Sequence, residues 1–199
     1  MPQFFNLEHA ECASILRLQS PDRTNRLTRA CVLELTQEIQ ILARERRPLI
    51  FTGNETFFSA GADLHEVSAL TTDGALEFSN LGQTLMNAVA NFPAPVYAAI
   101  HGYCMGGGLD LALACHRRTA SPNATFGHRG ASLGLITGWG GTQRLPRLVG
   151  KPRALQMFLA AEKLNAERAL QIGLINAIAD DPISNCLADI ARISQKQFS

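Results

Sequence analysis

The segment that most restricts the fold is Val96 to Cys115, VYAAIHGYCMGGGLDLALAC. An apolar run of strand length leads into a glycine-rich turn, His101 to Gly108. Three consecutive glycines, Gly106, Gly107 and Gly108, then open an apolar helix. Glycine at such a turn permits positive φ and lets a ligand atom approach the bare backbone. A helix start also offers unpaired N–H groups and a partial positive charge, which suits an oxyanion. The same pattern suits a tight strand-to-helix turn in which glycine only relieves crowding. Taken alone, the segment is compatible with both.

The rest of the chain alternates strand and helix signals. Glu11 to Leu18 is short, apolar and β-leaning, and Ser20-Pro21-Asp22 follows with turn chemistry. Leu27 to Arg44 carries Leu27, Cys31, Leu35, Ile39 and Leu42 at helical spacing and ends before Arg47-Pro48. Pro48 to Thr52 reads as a buried strand, Gly53 to Val67 as a loop entering a short helical turn, and Ala75 to Asn91 as a helix. Beyond Cys115, short strands are expected at Arg118–Ser121 and Ala124–Phe126, then a glycine-rich loop at Gly134–Gly141. Helices are expected at Gln143–Gly150, Pro152–Ala161 and Ala166–Ile172, a strand at Leu174–Ile178, and a last helix at Pro182–Gln197. This alternation gives the class as α/β. No low-complexity stretch interrupts it, so a core over residues 1–180 with a short helical extension over 181–199 is expected.

Composition excludes several functions. A net charge of +1 across 199 residues gives no general attraction to nucleic acid or anionic membrane. No apolar run approaches the ~20 residues of a membrane span. The start, MPQFFNLEHAECAS, lacks a basic-then-apolar leader, so no export signal is expected. Five cysteines, widely spaced and without C-x-x-C, fit reduced thiols in a cytoplasm better than disulfides or zinc.

A second loop repeats the logic of the first. Phe57 to Asp63, FFSAGAD, also follows a buried strand and is small and apolar around Gly61. Two such loops can place two N–H donors on one carbonyl oxygen. Each preorganised donor is worth roughly 3–4 kcal/mol of barrier in enolate-forming chemistry.

Four segments together resemble the crotonase family, the enoyl-CoA hydratase/isomerase superfamily. They are FSAGADL at 58–64, PVYAAIHGYCMGGGLDLA at 95–112, GWGGTQRLPRLVG at 138–150 and ALQIGLIN at 169–176. The resemblance implies a spiral of ββα units and an acyl-CoA thioester as ligand. Coenzyme A enters as part of the substrate, with no tightly bound cofactor or metal. It places the oxyanion hole at the N–H groups of Ala62 and Gly107. Coenzyme A is expected along the first loop, near Ser59, Ala60, Gly61 and Asp63, with Gly106, Gly130 and Trp139 completing the binding surface. A homotrimer or dimer of trimers is implied as well.

The chain also departs from the family pattern. Family hydratases use two glutamates, one three residues after the middle glycine and one twenty residues further on. Here those positions hold Asp110 and Gly130. A third position, an aspartate in some isomerases, is Gly138. Losing an acid/base group typically costs roughly 10²–10⁴-fold. One carboxylate can still move a proton between two carbons of an enolate, so Asp110 is expected to be catalytic. A non-catalytic acyl-CoA-binding or assembly protein is the alternative. His128 and Arg129 sit just before the empty position, and a loop or surface location is expected for the histidine. His65 is expected on a solvated helix position, His116 and Arg117 in structural roles, and Cys104 and Cys115 as inert core thiols. The family continues past this chain's end with more helices, so the C-terminal helical region is short.

Overall fold

The computed structural model describes residues 4–196; the expected helix end at Gln197 lies outside the described residues, as do the outermost ends of the 1–180 and 181–199 segments. One unit recurs three times. Strands β4 (Leu49–Thr52), β7 (Val96–Ile100) and β9 (Arg117–Ala120) lie side by side and parallel in a large sheet. Each leads to a short strand of a second sheet: β5 (Phe57–Ser59), β8 (Tyr103–Met105) and β10 (Thr125–Gly127), again mutually parallel. Each short strand leads to a helix that covers the structure: α3 (Thr72–Ala90), α4 (Gly107–Ala114) and α5 (Gly141–Val149). The result is the expected spiral of ββα turns.

The large sheet runs β1-β2-β4-β7-β9-β12, with β1 (Phe5–His9) antiparallel to β2 (Ser14–Leu18) and β12 (Ala177–Ile178) at the far edge. Strands β4 and β7 are buried at every residue, which explains why LIFT and VYAAI read as unbroken apolar runs. One face packs on α1 (Arg29–Leu42), α3 and α4. The other face is covered by α8 (Pro182–Lys196), whose Cys186 and Ile190 meet Ile15, Ile50, Tyr97 and Ala99.

Several short elements carry no readable period. Strands β3 (Arg26–Leu27), β6 (Gly61–Ala62) and β11 (Leu164–Asn165) have two residues each and exist through their partners. Strand β8 lies inside a stretch that reads as a turn, because the chain extends before Gly106. The expected strand at Leu174–Ile178 is confined to β12, since Leu174 and Ile175 instead close the end of α7 (Ala166–Gln171) by bonding to Ala169 O. Helices α2 (Leu64–Ser68) and α6 (Lys151–Leu159) complete the set.

Candidate active site

The two glycine-bearing loops meet. Gly61 has φ +94° and Gly106 φ +51°, the left-handed region that favours glycine. A methyl group built on Gly61 would sit 2.9 Å from Gly107 N, and one built on Gly107 would sit 3.3 Å from Ala62 N. Gly107 is the first residue of α4, so its N–H has no partner within the helix. The first loop is tied from behind. Asn25 Nδ2 donates to Phe57 O at 2.8 Å and Phe58 O at 3.2 Å, and Ser59 Oγ donates to Asn25 O at 2.7 Å and accepts from Gly61 N at 3.1 Å. Asp63 caps α2 by accepting from His65 N and Glu66 N, and pairs with Arg26 at 3.0 Å. It orders the loop.

Around this junction lies a cavity of about 410 Å³. Its wall includes Ala60, Ala62, Gly106, Gly107, Asp110, Gly130 and Trp139, seven of the ten residues singled out above. The other three, Ser59, Gly61 and Asp63, stand immediately behind it. The remaining wall is mostly apolar, with Val67, Phe78, Leu133, Leu135 and Phe158 among its members. Trp139 is buried, donates from Nε1 to Phe78 O at 3.1 Å and packs on the Phe78 ring. It fits only because Gly82 and Gly107 lack side chains: a methyl on either would approach the indole within 2.1 Å or 2.5 Å.

Asp110, one turn into α4, is only 1% exposed. Its Oδ2 accepts a hydrogen bond from the Thr137 hydroxyl. Burial is the largest influence on its acidity and drives the carboxyl up to about 7, against the Thr137 hydroxyl, the charge of Arg144 and the Gly141 amide. His128 lies in the loop after β10, as the sequence reading expected, but it is buried there and not at the surface. It is 4% exposed, lines the cavity, and holds Nε2 3.5 Å from Asp110 Oδ1. Neither of those two atoms has a hydrogen-bond partner of good geometry. Burial alone drives the imidazole down to about 4.

The other expectations have simple outcomes. His65 is exposed, and Arg129 is exposed at the cavity rim. His116 Nδ1 accepts from Val96 N at 3.0 Å, and Arg117 pairs with Asp189 of α8 at 2.7 Å. Cys104 and Cys115 are buried, with acidities suppressed by desolvation, so both are protonated thiols at neutral pH. Thr137 was not anticipated, and a lone threonine in a glycine-rich loop offers no signal for its role.

Gly130 opens a 3-10 turn, Gly130–Leu133, and its carbonyl accepts from Leu135 N at 2.8 Å. A Cβ there would lie 2.6 Å from Leu135 O, which is backbone and cannot rotate away. The loop is therefore built around the missing side chain. Gly130→Glu is expected to lower stability by about 1–3 kcal/mol and to give no gain in enoyl-CoA turnover. Thermal melts and steady-state rates check both.

Comparison with known proteins agrees with this architecture. The enoyl-CoA hydratase/isomerase family model matches residues 9–195. A probable enoyl-CoA hydratase of Bacillus subtilis (strain 168) is 44% identical over 137 residues, covering 68% of this chain and 53% of that protein. A crotonyl-CoA hydratase of Syntrophomonas wolfei is 38% identical over 196 residues, covering 97% of this chain and 75% of that protein. The chain thus spans about half the length of the first relative and three quarters of the second. Among solved structures, Pseudomonas aeruginosa DspI aligns with a TM-score of 0.91 at 34% identity, over 96% of this chain and 80% of that one. The enoyl-CoA hydratase from Bacillus anthracis aligns with a TM-score of 0.91 at 31% identity, over 96% and 77%. The chain belongs to the enoyl-CoA hydratase/isomerase family and has the crotonase fold.

Proposed function

We propose that this chain binds an acyl-CoA thioester in the cavity and stabilises its enolate, as an enzyme of the hydratase or isomerase type. The Ala62 and Gly107 N–H groups hold the thioester oxygen, and Asp110 moves a proton. The observation that carries this reading is the apposition of the two loops, with Gly107 N and Ala62 N lying 2.9 Å and 3.3 Å from the other loop's glycine Cβ position. The partial positive charge at the start of α4 adds to the pull on a developing oxyanion. The apolar wall suits the acyl chain.

Assembly as a homotrimer or dimer of trimers belongs to the same proposal. Exposed Leu155, Leu159 and Ile136 supply apolar surface for it. The division of the chain into a core over 1–180 and a short helical extension over 181–199 is part of the same proposal.

The test uses acetoacetyl-CoA, whose enolate absorbs distinctly, and a panel of 2-enoyl and 3-enoyl thioesters. Expected are growth of the enolate band on binding and turnover of at least one panel member. Failure of any CoA thioester to bind overturns the proposal. Binding without turnover selects the non-catalytic alternative, which the empty position at Gly130 favours.

A further inference from the structure

We propose that His128 is the second acid–base group of this site and works with Asp110 as a pair sharing one proton. The inference rests on the enolate reading above. Where the family pattern offers a second carboxylate, this chain has Gly130, and its loop is closed by Leu135 O against any replacement. Two residues earlier, the same loop turns an imidazole into the cavity from β10. Its Nε2 and Asp110 Oδ1 face each other at 3.5 Å, both buried and both without a good hydrogen bond. Buried polar atoms are ordinarily satisfied, and two orphans on one cavity wall mark a place prepared for a proton or a substrate atom.

The surroundings isolate the pair. The Phe158 ring of α6 packs on the imidazole at 5.2 Å between centroids. The charged group acting on Asp110 is Arg144 of α5; Asp110 in turn helps keep the Cys104 thiol on β8 protonated, and Arg129 is the exposed neighbour of His128 in sequence. With the carboxyl raised to about 7 and the imidazole lowered to about 4, a proton held by the pair rests on Asp110, which leaves the neutral imidazole Nε2 free to take a second one.

The step balances with this pair alone. In hydration, the oxygen of water bonds to C3 of a 2-enoyl thioester, and the C2–C3 π pair moves onto C2 and the thioester oxygen. The water proton passes to the pair. As the enolate collapses, the pair returns that proton to C2. For isomerisation, the proton comes from C4 instead and the double bond moves. In both, the pair ends as it began.

The experiment compares wild type with His128→Asn on the enoyl-CoA panel, with pH profiles, acetoacetyl-CoA binding and thermal melts alongside. Expected is a kcat loss of at least 10²-fold, thioester affinity changed less than about threefold, and a displaced acid limb in kcat/KM. A variant within threefold of wild type and with an unmoved limb overturns the role of His128 and leaves the enolate reading standing. A wild type inert on every thioester overturns both. Should the variant misfold, imidazole ¹⁵N resonances of the wild type decide. The proposal expects those of His128 to move between wild type and Asp110→Asn and on binding acetoacetyl-CoA, and unchanged resonances overturn it.

Discussion

Asp110→Asn is expected to abolish turnover while making the protein more stable at alkaline pH. The activity loss is about 10²–10⁴-fold, since an amide cannot accept the proton that the carboxylate moves. The stability gain follows from the same burial. Raising the carboxyl from 3.8 to about 7 means that the folded state resists ionisation. Below about pH 4 the acid is protonated whether folded or not, and the substitution changes little. Between 4 and 7 the unfolded chain ionises and the folded one does not, so wild-type stability falls as pH rises through that window. The full penalty is equivalent to roughly 4 kcal/mol. Loss of the hydrogen bond from Thr137 offsets about 1 kcal/mol of it.

The variant is therefore expected to be about 2–3 kcal/mol more stable at pH 8, a Tm rise of roughly 5–10 °C that vanishes near pH 4. His128 runs the other way. With its imidazole lowered from 6.5 to about 4, it contributes stability above 6.5 that is lost as pH falls toward 4. The two effects oppose each other in wild type, so the variant exposes the histidine's loss of stability at low pH by removing the carboxylate's loss at high pH. Melts at pH 4, 6 and 8 check the sign. Equal Tm differences at all three would contradict a buried, reluctantly ionised Asp110. A site that costs stability and is retained is what a functional carboxylate looks like.

How much of this was legible depended on distance along the chain. Strand β7 and helix α4, with the glycine turn between them, were readable because their constraints are local: an unbroken apolar strand, a run of glycines and an apolar helix lie within twenty residues. Ala62 and Asp110 were readable as positions in recurring motifs. The burial of His128 was not, because nothing beside it in sequence encloses it. Its cover is Phe158, thirty residues later on α6, and its partner is Asp110, eighteen residues earlier. Thr137 shares this history, since its hydroxyl matters only through the Asp110 carboxylate on α4, 27 residues earlier. Asn25, buried at φ +52° behind the first loop, owes its role to Phe57, Phe58 and Ser59, more than thirty residues later, and no local signal marks it. Short polar residues gain their roles from tertiary contacts that no period announces.

Gly61→Ala is expected to be a small substitution with a large effect on the site, because strain and collision fall on the same atom. At φ +94° an alanine is disfavoured by about 1–2 kcal/mol. Its Cβ would also lie 2.6 Å from Met105 O and 2.9 Å from Gly107 N. Both are main-chain atoms of the β8–α4 turn, so neither can yield by changing rotamer, and the turn must move as a unit. That movement separates the Ala62 and Gly107 amides proposed to hold the thioester oxygen. Loss of one well-placed donor costs about 10²–10³-fold in kcat. Stability should fall by about 2–4 kcal/mol. Gly134→Ala supplies the control that separates the two causes. Gly134 also has positive φ, +70°, but open space surrounds its Cβ position. It carries the conformational cost alone, with a loss of about 1 kcal/mol and turnover within a few-fold of wild type. If Gly61→Ala behaved like Gly134→Ala in both assays, contact between the loops would be unnecessary for catalysis. A large kcat loss confined to Gly61→Ala would instead tie the chemistry to the spacing of two backbone segments that no side chain holds apart.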